Sequence, residues 1–130
     1  VNVWTARSDE ALAIALGEAQ RDATRQHRRV LLVFIGFADA DSEAVIRVLA
    51  RAPAAAVLRE RYVAVYVNVG REGVDHTRLR HAHDVRKLAT LVVLEASGRR
   101  VARQTFAPVS DVSPLSPETL AQWLTTPRGR

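Results

Sequence analysis

A chain of 130 residues, 48% hydrophobic and 25% charged, is the size of one domain with one core, and folding should bury roughly two-thirds of its unfolded surface. It contains no cysteine, which excludes a disulfide framework and thiolate metal sites but fits an oxidising or a reducing compartment, cytoplasmic or exported, equally. The net charge of +5 rests on 18 arginines and the single lysine Lys87; it favours acidic partners, yet no basic run is interleaved with aromatics, which argues against nucleic-acid recognition.

Ser8, Asp9 and Glu10 before Leu12, Ala15, Leu16 and Ala19 read as an N-cap, two first-turn acids and an apolar stripe at helical spacing, predicting a helix to about Gln26. Residues 30–35 form a continuous apolar run, too short for the roughly 20 residues of a membrane span but apt for a strand covered on both faces. Asp41 or Ser42 can cap the next helix, with Val45, Ile46, Val48 and Leu49 on its buried side. Pro53 interrupts it, so residues 54–61 are a second helical piece or a continuation after a kink.

Residues 62–69 alternate as a second strand, with Val63, Val65, Val67 and Val69 on one face. A right-handed crossover should make it parallel to the first. After a loop over 70–74, Asp75 can cap a short helix reaching about His83. Residues 90–95 are a third strand, 96–98 a turn, and 99–106 an antiparallel fourth strand. A loop rich in Pro and Ser over 107–115 leads to Ser116, Pro117 and Glu118, an N-cap, an N1 proline and a first-turn acid that open a closing helix over 117–124. The domain is expected to span 1–126, with 127–130 frayed.

Three acids, Asp39, Asp41 and Glu43, gather at the start of the second helix. The helix dipole and unpaired N–H groups explain them without a cation, and no glycine-turned calcium loop is present. His76, His81 and His83 stand beside Asp84, but His81 and His83 would point to nearly opposite sides of a helix, and the remaining pair makes a weak site. No metal is expected. Neither a serine elbow nor a phosphate-cradling glycine loop occurs, so no cofactor is expected. Trp4 and Trp123 read as packing residues.

The segment Leu32-Val33-Phe34-Ile35-Gly36-Phe37-Ala38-Asp39-Ala40-Asp41-Ser42-Glu43 resembles the strand, loop and helix start that carry Cys-x-x-Cys in the thioredoxin-like family, with Ala40 and Glu43 at the cysteine positions. Val85-Arg86-Lys87-Leu88-Ala89-Thr90-Leu91 resembles that family's Val-Arg-x-Ile-Pro-Thr-Leu signature, with Ala89 in place of the cis-proline. The element order agrees. The resemblance implies an α/β fold with a central mixed four-stranded sheet, two strands parallel by crossover plus a C-terminal antiparallel hairpin, flanked by helices. It also places the apolar Phe34 where many thioredoxins have a buried carboxylate.

On this resemblance the catalytic dithiol is absent. The loop after the first strand and the loop before the third would meet at one end of the sheet, where family members lay an extended peptide. That end would present Phe37, Ala40, Leu88, Ala89 and Thr90, rimmed by Asp39 and Asp41. With alanine at position 89 the preceding peptide should be trans, since a non-proline cis bond costs roughly 2.5–4 kcal/mol. Arg28, Arg29, Arg99 and Arg100 should form a basic pole at the opposite end.

The expected function is a redox-inactive module that binds another protein or an extended peptide, beside a redox or secretion system. The alternatives are a thioredoxin-like enzyme with altered chemistry or a cysteine supplied by its partner, and a basic domain that binds anions or nucleic acid.

Overall fold

The computed structural model describes residues 3–6, 9–36, 38–69 and 76–129. In chain order these form β1 (Val3–Ala6), α1 (Asp9–Gln26), β2 (Arg29–Gly36), α2 (Ala40–Leu49), α3 (Ala54–Arg61), β3 (Tyr62–Val69), α4 (Thr77–Ala82), β4 (Thr90–Leu94), β5 (Arg100–Thr105) and α5 (Pro117–Thr125). Ser8, Asp75 and the loop over 70–74, to which the sequence assigns two caps and a connection, lie outside the described residues.

The sheet has the order β1-β3-β2-β4-β5. β2 pairs parallel to β3, from Arg29 opposite Tyr62 to Gly36 opposite Val69. On its other edge β2 pairs antiparallel to β4, with Val30 opposite Leu94 and Phe34 opposite Thr90. β5 returns antiparallel beside β4, with an irregularity between Val93 and Leu94. The four expected strands are therefore present, and a fifth, β1, extends the sheet parallel to β3. Its four residues are too few for a period-two pattern to stand out.

Each face of the sheet builds its own core. On one, Leu12, Ala19 and Ala23 of α1 cover Val30, Leu32, Phe34, Val63, Val65, Val67 and Val92. On the other, Val45 and Leu49 of α2, Ala54 of α3, and Leu120, Ala121 and Leu124 of α5 cover Leu31, Val33, Leu91 and Val93. Burying both faces of β2 is what its unbroken apolar run requires. In α2 the buried line is Ser42, Val45 and Leu49. Ile46, expected on that side, is 36% exposed because one residue's rotation carries it off the line.

The break at Pro53 divides the expected long helix into α2 and α3, with Pro53 in the N-cap position of α3 and a cis Ala52–Pro53 peptide. Ser116 caps α5 as expected, its hydroxyl accepting from the Thr119 N–H at 3.1 Å, with proline in the first turn. Arg103 N–H donates to the Gly129 carbonyl at 3.3 Å and Trp123 Nε1–H donates to the Arg128 carbonyl at 3.0 Å, so the segment after α5 is tied back to the domain. Trp123 also packs edge-on against Phe106, with ring centroids 5.5 Å apart, as a packing residue should; the side chain of Trp4 lies outside the described set.

Tyr62 joins β3 to the end of α5. It is 1% exposed, and its hydroxyl donates to the Leu124 carbonyl at 2.5 Å, one of the last-turn acceptors that a helix cannot satisfy itself. Burial pushes the phenol up to about 12, so it remains a neutral donor at ordinary pH. Tyr62→Phe leaves that carbonyl buried without its partner and should destabilise the domain by about 1–3 kcal/mol in urea unfolding. A variant as stable as the native chain would show that the bond contributes nothing.

Candidate functional site at the start of α2

β2 delivers the chain to the sheet end from which α2 departs. Asp39, with φ −101° and ψ 119°, is the N-cap of α2. Its Oδ2 accepts from the Ser42 N–H at 2.9 Å and from the Ser42 hydroxyl at 2.6 Å. The Ser42 oxygen in turn accepts from the Gly36 N–H at 2.9 Å. The last residue of β2, the N-cap and the third helical residue are thereby knotted together. The cap expected from Asp41 or Ser42 falls to Asp39, whose extended backbone lets its carboxylate curl over the first turn.

Asp41 does something else. It is 4% exposed, and its Oδ1 accepts from the N–H groups of Val109 at 2.7 Å and Ser110 at 3.0 Å, while Oδ2 accepts from the Ser110 hydroxyl. Asp41 is therefore a buried anchor for the loop after β5, not a rim residue, because its position in the helix turns it toward that loop. The Ser110 hydroxyl, followed by the backbone donors, holds its carboxyl below the usual carboxylate range.

Antiparallel pairing of β2 with β4 brings residues 88–90 to the same end. A Cβ on Gly36 would lie 2.8 Å from Leu88 Cδ1 and 3.4 Å from Asp39 Cβ, so the leucine lies closely across the end of β2 and would have to shift for a larger residue. The Leu88–Ala89 peptide is cis, contrary to the trans geometry expected for alanine. The expectation weighed that peptide alone, whereas in the fold Ala89 is buried and its carbonyl accepts from the Phe106 N–H at 2.8 Å. Thr90 is also buried; its hydroxyl donates to the Lys87 carbonyl at 2.6 Å and meets the Thr105 hydroxyl at 2.7 Å. Ala89 and Thr90 are thus internal braces rather than groove lining.

Of the expected surface, Ala40 is exposed and Asp39 and Leu88 are half-buried. Phe37 lies outside the described residues. Ala40 and Glu43 stand as the first and fourth residues of α2, and both are exposed. The residues missed lie in the loop after β5, which runs from Phe106, bonded to Ala89, to Ser110, bonded to Asp41. The chain from Phe106 onward holds out Val109 and, past Ser110, Val112, 53% and 86% exposed. Two valines in a polar Pro/Ser stretch were the available signal.

The arginine pole lies at the other end of β2. Arg29 precedes Val30, which pairs with Leu94, so Arg28 and Arg29 stand beside the turn carrying Arg99. That cluster is not wholly cationic. Glu95 receives Arg99 in a two-pronged ion pair at 2.6 and 3.0 Å, and Arg29 is close enough to contribute to holding the Glu95 carboxyl down. Among the histidines, His76 is buried, His83 half-buried and His81 exposed. Burial, followed by Arg100, lowers the proton affinity of His83. Among the described residues no group of three or more His, Asp or Glu side chains is placed to hold a metal ion, and no helix is long and apolar enough to cross a membrane.

The Asp41 anchor carries a pH prediction. Because its carboxyl is depressed in the fold, its contribution is complete above the unfolded value of about 3.9 and is lost as pH falls through the folded value. Asp41→Ala should speed amide exchange at Val109 and Ser110 at least tenfold at pH 7, with the gap from the native chain closing only below about pH 4. Equal exchange rates at neutral pH would show that the carboxylate does not hold the loop.

No protein-family model and no curated protein matches the sequence. Solved structures do. A disulphide isomerase from Xylella fastidiosa Temecula1 superposes with a TM-score of 0.73 at 17% identity, over 86% of this chain and 87% of that one. The C-terminal domain of DsbD from Neisseria meningitidis in its oxidised form gives 0.71 at 15% identity, over 92% and 95%. A thioredoxin from Thermus thermophilus gives 0.63 at 17% identity, over 96% and 86%. At these identities the likeness is one of fold, and it agrees with the strand order and crossovers described above: the chain has a thioredoxin-like fold that contains no cysteine.

Proposed function

We propose that this domain is a redox-inactive thioredoxin-like module that binds an extended protein segment at the end of the sheet where α2 begins. The observation that carries this reading is the Asp39–Ser42 pair. A thiolate at a helix N-terminus is favoured by the same N–H groups that Asp39 engages, so the place a nucleophilic sulfur would take is filled by a carboxylate already bound to Ser42. Ser42 is wholly buried and its hydroxyl proton is committed to that carboxylate. Neither group offers a nucleophile to a substrate.

In this reading the dithiol positions are Asp39 and Ser42, one residue before the Ala40 and Glu43 assigned from sequence. The structural neighbours, a disulphide isomerase and a thioredoxin among them, support a scaffold suited to polypeptides rather than small metabolites. The binding surface consists of Ala38, Asp39 and Ala40, the Leu88 side chain and the valines of the loop after β5. Small and apolar groups beside one carboxylate suit an extended segment with an apolar residue next to a basic one.

Two measurements test this. Asp39→Cys with Ser42→Cys should close an intramolecular disulfide under mild oxidation, whereas Ala40→Cys with Glu43→Cys should leave both thiols titratable. The reverse result in folded variants would return the site to the later register. Selection of displayed peptides on the native domain should enrich sequences whose binding falls at least tenfold with Leu88→Glu or Val112→Glu, and the native chain should not reduce insulin. Peptides indifferent to both substitutions, or insulin reduction by the native chain, would defeat the proposal.

A further inference from the structure

β5 ends the sheet, so among the described residues one side of its backbone has no neighbouring strand. Such an edge is a template for another extended chain unless something covers it. Gly129 covers part of it. Arg103 N–H, directed away from β4, donates to the Gly129 carbonyl at 3.3 Å. Gly129 has φ +111°, and a Cβ built there would collide with the Arg103 carbonyl oxygen, so only glycine permits this approach. One residue earlier, the Arg128 carbonyl accepts from Trp123 Nε1–H at 3.0 Å, and Trp123 is braced by Phe106.

The edge beneath is held firmly. Arg103 Nη1 donates to the carbonyl of Asp84 at 2.8 Å and to that of His83 at 3.2 Å, and lies 3.0 Å from Asp84 Oδ2. The guanidinium of Arg103, followed by that of Arg86, holds the Asp84 carboxyl below its usual range, so this pinning persists across neutral pH. A backbone donor fixed in place by its own side chain is preorganised for an incoming carbonyl, which spares a ligand the cost of ordering it.

We propose that the outer edge of β5 is a docking edge for an extended segment of a partner protein, and that residues 126–129 occupy it from within the chain. The occupant is defined by what already sits there: a main-chain carbonyl directed at Arg103 N–H, with no side chain where Gly129 stands. This is strand addition to a sheet edge, at a place remote in sequence from the start of α2 and independent of the function proposed for that end.

The test uses the full chain carrying Gly129→Val, which forces the covering segment away, and a fluorescein-labelled peptide of sequence Leu-Thr-Thr-Pro-Arg-Gly-Arg as probe. Native Arg103 amide should be protected from exchange. In the variant it should exchange at least tenfold faster, and the variant should bind the probe at least tenfold more tightly than the native chain does. Trp123→Phe, which keeps the ring against Phe106 but removes the bond to Arg128, should shift both readouts the same way and serves if Gly129→Val does not fold. Unchanged exchange in folded variants would show that residues 126–129 do not cover the edge. Faster exchange without a gain in probe affinity would show that the edge is not a docking site. Concentration-dependent dimers in which the Arg103 amide is protected again would assign the edge to a second copy of the chain and overturn the partner reading.

Discussion

The placement of every functional group depends on the double pairing of β2. From Val30 to Ile35 this strand is at most 6% exposed at any residue, and both of its edges are consumed, one by β3 in parallel and the other by β4 in antiparallel. A one-residue slip would exchange the side chains destined for the two cores and bury each against the wrong helices, so the register is strongly fixed. Once it is fixed, the end of β2 and the start of β4 must share one end of the sheet. Gly36, Leu88 and the first turn of α2 meet for that reason, although some fifty residues separate them along the chain.

Much of this was legible because it rests on period and punctuation. The apolar run at 30–35, the alternation at 62–69 and the Ser-Pro-Glu start of α5 each pair a local signal with a single packing outcome. What escaped depends on contacts distant in sequence. Nothing local in Asp41 distinguishes a first-turn acid that faces water from one that accepts three hydrogen bonds from residues 109 and 110. Thr90 reads as the polar start of a strand, yet Thr105 and the Lys87 carbonyl enclose it. The C-terminal Pro-Arg-Gly reads as a frayed end because its anchors, Arg103 and Trp123, belong to other elements.

The sequence reading brings the loop after β2 and the loop before β4 to one end of the sheet, as the fold does, since the resemblance supplied a topology and topology determines which loops converge. It misjudged which side chains face outward, because that choice is made at single-residue resolution by caps and braces. Asp39 as N-cap turns Ala40 and Glu43 to solvent and Ser42 inward. The same shift draws Asp41 beneath the loop after β5, making that loop, rather than the acids, the wall of the site.

The first turn of α2 also shows how a thioredoxin-like fold without cysteine meets the needs of this helix start. A helix N-terminus presents N–H groups without internal partners and a partial positive charge, and something must answer both. A thiolate does so while remaining reactive. Asp39 does so with a carboxylate oxygen that accepts from the Ser42 N–H, and Ser42 adds a hydroxyl that returns to the same oxygen while receiving the Gly36 N–H. The electrostatic need of the helix is met and the backbone turn is held, but the groups that meet it are committed to one another. The geometry of this turn is therefore set by contacts within the chain itself.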